Sequence, residues 1–293
     1  MEENILTQQD LKALAEQAEQ AALKAANYIS GRHGTVPDVK TKQEVSSRAA
    51  EVVTAIDIES ERIIVDYLKP SFIKYNLGLL TEETIDDGSR LLKPYFWCID
   101  PLDGTLAFIE KRAGYSVSIA LVNREGVPVL GIVQNPSTGA VYKAGLGMQL
   151  MKPAVAKGDS TLLHVYFDQS MKFHIHYQKV LHQLETLAKD VGLTGVSLHF
   201  GNGSVLNACG VLHHTNAVYF KLPKDKPGGG SFWDFAATAC LFAASSAEAT
   251  DVSGIPLRFS DAENTFMNRR GVIYASNKKL ANELVRFCRQ FLM

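Results

Sequence analysis

The residues that most constrain this chain are Asp100-Pro101-Leu102-Asp103-Gly104-Thr105, which cut off the apolar run 96–99. An apolar run ended by Asp, Pro and Gly reads as a buried strand entering a tight turn, which fixes two carboxylates close together at a sheet edge. Like charges so placed either share a proton or bind a cation. Clustered carboxylate oxygens select hard ions such as Mg2+, Mn2+ or Ca2+ over zinc. Gly104 and Thr105 look like the start of a helix, so free backbone N–H groups there would face the same spot and could receive a phosphate. Taken alone, the segment reads equally well as an ordinary turn, because Asp, Pro and Gly are all favoured turn residues. Asp57, Glu82, Glu83 and Asp234 supply further acids. Each of these also has a plain reading, the glutamates as a solvated pair and the aspartates as helix caps.

The rest of the chain alternates helical and extended patterns. Thr7 can cap a helix on which Leu11, Leu14, Ala15, Ala18, Ala22, Ala25 and Ile29 recur at helical spacing, with Gly31 as its stop. Residues 32–50 are polar, carry Gly34 and Pro37, and read as an irregular loop. Thr54 followed by Asp57 resembles a capping box, which predicts a helix ending at Pro70 with Asp57 in its first turn. Residues 115–122 and 127–134 form a predicted hairpin, with 140–143 as a third strand. Downstream come strands at 162–167, 196–200 and 217–221, a helix over 177–189 and another after Ser204. Residues 223–230 read as a flexible connection. Asp234 then opens an alanine-rich helix over 235–247, and Asn277 caps a last one over 278–291. Such alternation implies layered α/β packing. The expected organisation is one compact unit of two halves: 1–153 with most of the acids, and 154–293 with Asp234 and the pocket for the leaving group.

Composition excludes several function classes. The 293 residues are 46% hydrophobic and 21% charged, as in an ordinary globular protein able to bury a sizeable core. Thirty basic residues against 31 acidic ones leave no electrostatic footprint for a nucleic-acid polymer. Cys98, Cys209, Cys240 and Cys288 follow neither a CxxC spacing nor a dense secreted pattern, which points to a reducing cytoplasm. No stretch reads as a secretory leader or a membrane span. Among the eight histidines, His174/His176 and His213/His214 do not match helical zinc spacings, so the histidines read as scattered surface or core residues. Trp97 and Trp233 read as core anchors beside the acidic turns.

Four segments taken together resemble the inositol monophosphatase superfamily: VVTAID at 52–57, TEE at 81–83, WCIDPLDGT at 97–105 and WDFAAT at 233–238. Their order and spacing fit across nearly the whole chain. DPLDGT running into FIEKRAGYSVSIALV is most similar to the bacterial 3'(2'),5'-bisphosphate nucleotidase branch. The resemblance implies a five-layered αβαβα sandwich and a Mg2+-dependent, often lithium-sensitive phosphatase with two or three ions per site. Its substrate would be a small phosphorylated metabolite, and homodimers are common in the superfamily. Carried over by position, Glu82, Asp100 and the Leu102 carbonyl would hold one ion, and Asp100, Asp103 and Asp234 a second. Two ions roughly 3.5–4 Å apart acidify a bound water and clamp an in-line displacement. Asp57 and Thr105, with Glu82 beside them, would orient and deprotonate the attacking water. Gly104 and Thr105 would meet the phosphate, and Ser204 and Lys221 the remainder of the substrate.

The chain also departs from the superfamily pattern. Thr81 stands where glycine is usual, Glu51 where aspartate is common, and Leu106-Ala107 replaces both the Lys-Glu of bisphosphate nucleotidases and the Thr-Asn of inositol phosphatases. Lys42 and Glu44, candidates for a third ion, fall in a loop that does not align. The expected substrate is a 3'(2'),5'-bisphosphate nucleotide, with inositol 1-phosphate or another sugar phosphate as the alternative. A reading of a different class is a catalytically silent, phosphate-binding regulatory protein; the complete set of proposed ligands stands against it.

Overall fold

The computed structural model describes residues 5–34, 48–155 and 158–291. Helix α1 (Gln8–Ser30) begins with the predicted cap, completed by a capping box between Thr7 and Asp10. Leu14, Ala18, Ala22, Ala25 and Ile29 are fully buried along one stripe, and the alanines let the helix lie close to its neighbours. Helix α2 (Arg48–Tyr75) starts earlier and ends later than the sequence predicts. Thr54 and Asp57 therefore lie inside it and form no cap. An apolar stripe of Val53, Ile56, Ile64 and Leu68 is buried against α1 and the first sheet, and such packing overrides a weak local cap signal. The helix also runs through Pro70; the adjoining Ser71 hydroxyl donates to Leu68 O at 2.6 Å and accepts the Trp97 indole N–H at 3.0 Å.

Strands β1 (Gly78–Thr81), β2 (Tyr95–Asp103), β3 (Ser116–Asn123), β4 (Pro128–Gln134), β5 (Val141–Gly145) and β6 (Met148–Met151) form the first sheet in that order. β1 and β2 are parallel and the other pairs antiparallel. Short helices α3 (Ser89–Leu92) and α4 (Thr105–Ile109) flank β2. Side chains alternate as strand geometry demands: Trp97 and Ile99 join the core under α1 and α2, whereas Phe96 and Cys98 face the opposite side.

The second sheet is built from β7 (Leu162–Phe167), β8 (Gly195–Phe200), β9 (Ala217–Lys221), β10 (Glu248–Thr250) and β11 (Val272–Ala275), in the order β10-β11-β9-β7-β8. Its outer face packs on α5 (Tyr177–Asp190) and α8 (Lys278–Arg289). Between the sheets lie α6 (Ser204–Val211) and α7 (Phe232–Ala243), which share one core with both. Phe232, Phe235 and Phe242 of α7 are each almost wholly buried there, an apolar burial on the order of 1.5–3 kcal/mol per side chain. The layers are thus helix, sheet, helix, sheet, helix. Strands β1, β6, β10 and β11 have no counterpart in the sequence reading; they are three or four residues long, too short to show a period. The four cysteines are buried free thiols, and among the described residues no helix is long and apolar enough to cross a membrane.

Candidate active site

The acidic turn is a continuation of β2 rather than its end. Asp100 pairs with Ser118 and Asp103 with Ser116, a register shift that sets Pro101 and Leu102 of β2 against the single residue Val117 of β3. In a regular strand, residues three apart point to opposite faces. The extra residue of the bulge resets the phase, so both aspartates share the face of Ser116 and Ser118, which looks towards α7: the Ser118 hydroxyl donates to Trp233 O at 3.2 Å. Asp234 closes a capping box at the start of α7, accepting the Ser231 N–H at 2.6 Å. One carboxylate oxygen from each of Asp100, Asp103 and Asp234 lies within 4.8 Å of the others.

Glu82 follows β1, whose parallel register sets Thr81 opposite Ile99, so Glu82 emerges alongside Asp100. Its outer flank is open to solvent, yet the carboxyl is pushed up to about 7, first by burial at the cluster and then by the charges of Asp234 and Glu83. Asp57 reaches the same spot from the middle of α2. Burial, followed by the charges of Glu83, Glu82 and Glu61, pushes it up to about 8, and its Oδ1 is buried without a hydrogen-bond partner. Burial also drives Asp100 well above the ordinary carboxylate range, with Glu82, Asp103 and Asp234 adding to it. Converging carboxylates, an orphaned buried oxygen and all-oxygen donors suit a hard divalent cation such as Mg2+.

Asp103 has a second task absent from the sequence reading. Its Oδ1 accepts the Ser204 N–H and its Oδ2 the Val205 N–H, both at 3.0 Å. The carboxylate thereby binds the first turn of α6, where free N–H groups favour an anion. Oδ2 also accepts the Ser116 hydroxyl at 3.4 Å, whereas Oδ1 keeps a second lone pair for another partner. The approach is close enough that a Cβ on Gly203 would stand 2.3 Å from Asp103 Oδ2. Gly104 is equally constrained: its φ is +86°, and a Cβ would meet Gly114 O at 2.6 Å. The Leu102 N–H donates to Asp100 Oδ1 at 3.0 Å, and the Thr105 hydroxyl to Leu102 O at 3.2 Å.

A cavity of about 280 Å³ opens beside Asp103, lined by Gly104, Leu106, Arg112, Asp168 and Ser204 among others. Lys221, the last residue of β9, borders this region through its contacts with Asp168 and Ser204. Its ammonium is 2.9 Å from Asp168 Oδ2, donates to Ser204 Oγ at 2.8 Å and leaves its side chain 16% exposed. Burial works against the charge, but Asp168 and Asp234 outweigh it and hold the ammonium above its ordinary value. Asp168, at the end of β7, also accepts from Tyr219 Oη and Asn207 Nδ2, each at 3.1 Å.

Three residues escaped the sequence reading. Glu61, one turn beyond Asp57, accepts the Glu83 N–H at 3.0 Å and the Thr84 hydroxyl, tying the loop after β1 to α2. Its spacing of four from Asp57 was the available signal. Asp168 and Arg112 carried none, since only the fold brings them to the cavity. Lys42, Glu44 and Glu51 lie outside the residues whose side chains are described.

With this geometry in hand, comparison with known proteins is decisive for the family. A sequence profile of the inositol monophosphatase family matches residues 10–290. The chain belongs to the inositol monophosphatase family. This is a family of Mg2+-dependent phosphatase-type hydrolases. Inositol monophosphatase relatives of the chain include the 3'(2'),5'-bisphosphate nucleotidase CysQ of Shigella flexneri, 29% identical over 238 residues, or 80% of this chain and 88% of that protein. The Nus factor SuhB of Salmonella typhimurium is 27% identical over 276 residues, 92% of each chain. The fold matches the inositol monophosphatase of Anabaena with a TM-score of 0.70 and 21% identity, covering 96% of this chain and 97% of that one.

Proposed function

We propose that this protein is a Mg2+-dependent phosphomonoesterase that removes one phosphate from a 3'(2'),5'-bisphosphate nucleotide. The convergence of Asp100, Asp103 and Asp234 beside Glu82 and Asp57 carries the reading. Mg2+ held by Glu82, Asp100, the Leu102 carbonyl, Asp103 and Asp234 would neutralise phosphate charge and make a water molecule more acidic. The protein's own part is positional. Asp57 Oδ1, buried and unpartnered, is the acceptor for a proton passed through the Thr105 hydroxyl once that group turns from Leu102 O. Ser204 and Val205 fix Asp103 from below, while Gly104 brings backbone close to the cavity where the phosphate enters. A soluble cytoplasmic enzyme, inhibition by lithium and a homodimer accompany this reading.

Lys221 and Arg112, paired with Asp168 and Glu110 respectively, place two cations on the leaving-group side; exchange of those partners suits a second phosphate and would find no counterpart on a neutral inositol ring. The bisphosphate nucleotidase among the relatives supports the same preference. The inositol monophosphatase fold neighbour keeps inositol 1-phosphate as the second reading, and the Nus factor relative keeps a silent regulatory role as the third.

Phosphate release from adenosine 3',5'-bisphosphate and inositol 1-phosphate, with and without Mg2+, tests all three. The nucleotide should be preferred, and Lys221→Met should lower its kcat/KM about 10- to 100-fold, the worth of one hydrogen bond to a charged group. Equal or absent turnover of the nucleotide overturns the substrate assignment. Absence of any Mg2+-dependent turnover would favour the regulatory reading instead.

A further inference from the structure

His164 on β7 and His199 on β8 lie on one face of the second sheet, because Tyr166, two residues after His164, pairs in register with His199. His214 arrives from the segment just after α6. One ring nitrogen from each of the three lies within 4.8 Å of the others, although they are far apart in sequence and match no short metal motif. These three histidines are gathered in space rather than scattered.

Their hydrogen bonds place the ring nitrogens, and that of His164 fixes its tautomer. His164 Nε2 is 2.9 Å from the Asp159 carbonyl, which only accepts, so Nε2 carries the hydrogen and Nδ1 presents a lone pair. That Nδ1 lies 3.0 Å from His199 Nε2. His214 Nε2 is held 2.9 Å from the Tyr166 hydroxyl, while its Nδ1 is buried without a partner. Two imidazoles thus have their outer nitrogens anchored on oxygen and their inner ones turned to the cluster, the arrangement that outer partners impose on metal-binding histidines. We propose that His164, His199 and His214 form a binding site for a borderline transition-metal ion, of the Zn2+ or Co2+ class, separate from the carboxylate centre.

Three neutral imidazoles favour such ions, whereas the carboxylate centre favours Mg2+. Zn–N bonds of about 2.0–2.1 Å in a tetrahedron set nitrogens roughly 3.3 Å apart, close to the spacing of His164 and His199. The His164 and His214 rings are stacked at 3.9 Å with 15° between planes, and one ion cannot lie in two parallel ring planes. Binding therefore tilts the His214 ring out of the stack about its Tyr166 hydrogen bond, beside a cavity of about 380 Å³ that His214 also lines. An ion here would brace the trailing end of α6, whose leading end holds Asp103.

The test is Co2+ titration of the Mg2+-saturated full-length protein, read by the visible bands of four-coordinate cobalt. One further equivalent should bind. The bands should disappear in His199→Gln and His214→Gln, survive in Asp234→Asn, and need about 10- to 100-fold more Co2+ in Tyr166→Phe. Absence of bands in the wild type, or their loss in Asp234→Asn alone, overturns the site. Paramagnetic resonance of Cu2+ bound to the wild type depends on no variant. Nitrogen hyperfine structure supports the proposal, and an all-oxygen spectrum refutes it.

Discussion

Replacing Gly203 by alanine isolates the link between α6 and Asp103. Gly203 has φ −67° and ψ 174°, a conformation open to alanine, so the perturbation is steric and not one of backbone strain. The new Cβ would stand 2.3 Å from Asp103 Oδ2, against ordinary contacts that begin at 3.4 Å. Asp103 must therefore retreat by roughly 1 Å, stretching its bonds from the Ser204 and Val205 N–H groups from 3.0 Å to about 4 Å, beyond hydrogen-bonding range. Each bond to the carboxylate contributes about 1.5–3 kcal/mol, part of which water recovers. Lower unfolded-state entropy offsets about 0.4–1 kcal/mol. The net cost is on the order of 2–4 kcal/mol, a fall in Tm of roughly 3–7 °C. A displacement of about 1 Å at a catalytic group lowers kcat by about 100-fold. Thermal melts and Mg2+-dependent phosphate release measure both quantities. Gly31→Ala is the control, since Gly31 has φ −65° and meets only ordinary contacts at 3.5 Å and beyond; it should leave turnover unchanged and raise Tm by about 1 °C. Wild-type Tm and turnover in Gly203→Ala would refute the claim that α6 holds Asp103.

Two further outcomes are expected. In metal-free protein, Asp57 and Glu82 are pushed up to about 8 and about 7 by burial and neighbouring carboxylates, whereas unfolded carboxylates titrate near 4. Between those limits the folded state binds more protons than the unfolded one, so stability should fall as pH rises from about 4 to about 8, and Mg2+ should remove most of the slope. Melts of chelator-treated protein across that range, with and without Mg2+, check this; a flat or rising metal-free profile contradicts it. Glu61→Gln should raise the Mg2+ concentration for half-maximal turnover about tenfold, as an amide cannot accept from both Glu83 and Thr84 in the same way. An unchanged Mg2+ requirement would remove Glu61 from the positioning of Glu82.

Elements with a strong period or a good cap were readable from the residues. The spans of β7 and β9 coincide with the predicted strands, and the caps at Thr7 and Asn277 form as expected. Thr54 and Asp57 misled because a local cap pattern carries less energy than burial of the α2 stripe against α1. Nothing near Lys221 in sequence foretold its contacts with Asp168 and Ser204. The histidine cluster was invisible for the same reason: its members come from two neighbouring strands and the end of a helix.

By itself the sequence determined which residues are acidic, where the apolar runs stop, and hence that Asp100, Asp103 and Asp234 had to be accommodated near helix starts or turns. Tertiary structure alone decided that they face one another. Asp100 and Asp103 are three residues apart and would straddle a regular strand, and only the bulge against Ser116 and Ser118 brings them to one face. Only the packing of α7 between the sheets carries Asp234 to meet them. Spacing along a chain fixes direction within an element, whereas contact between elements depends on registers and layers that form when the whole core is buried.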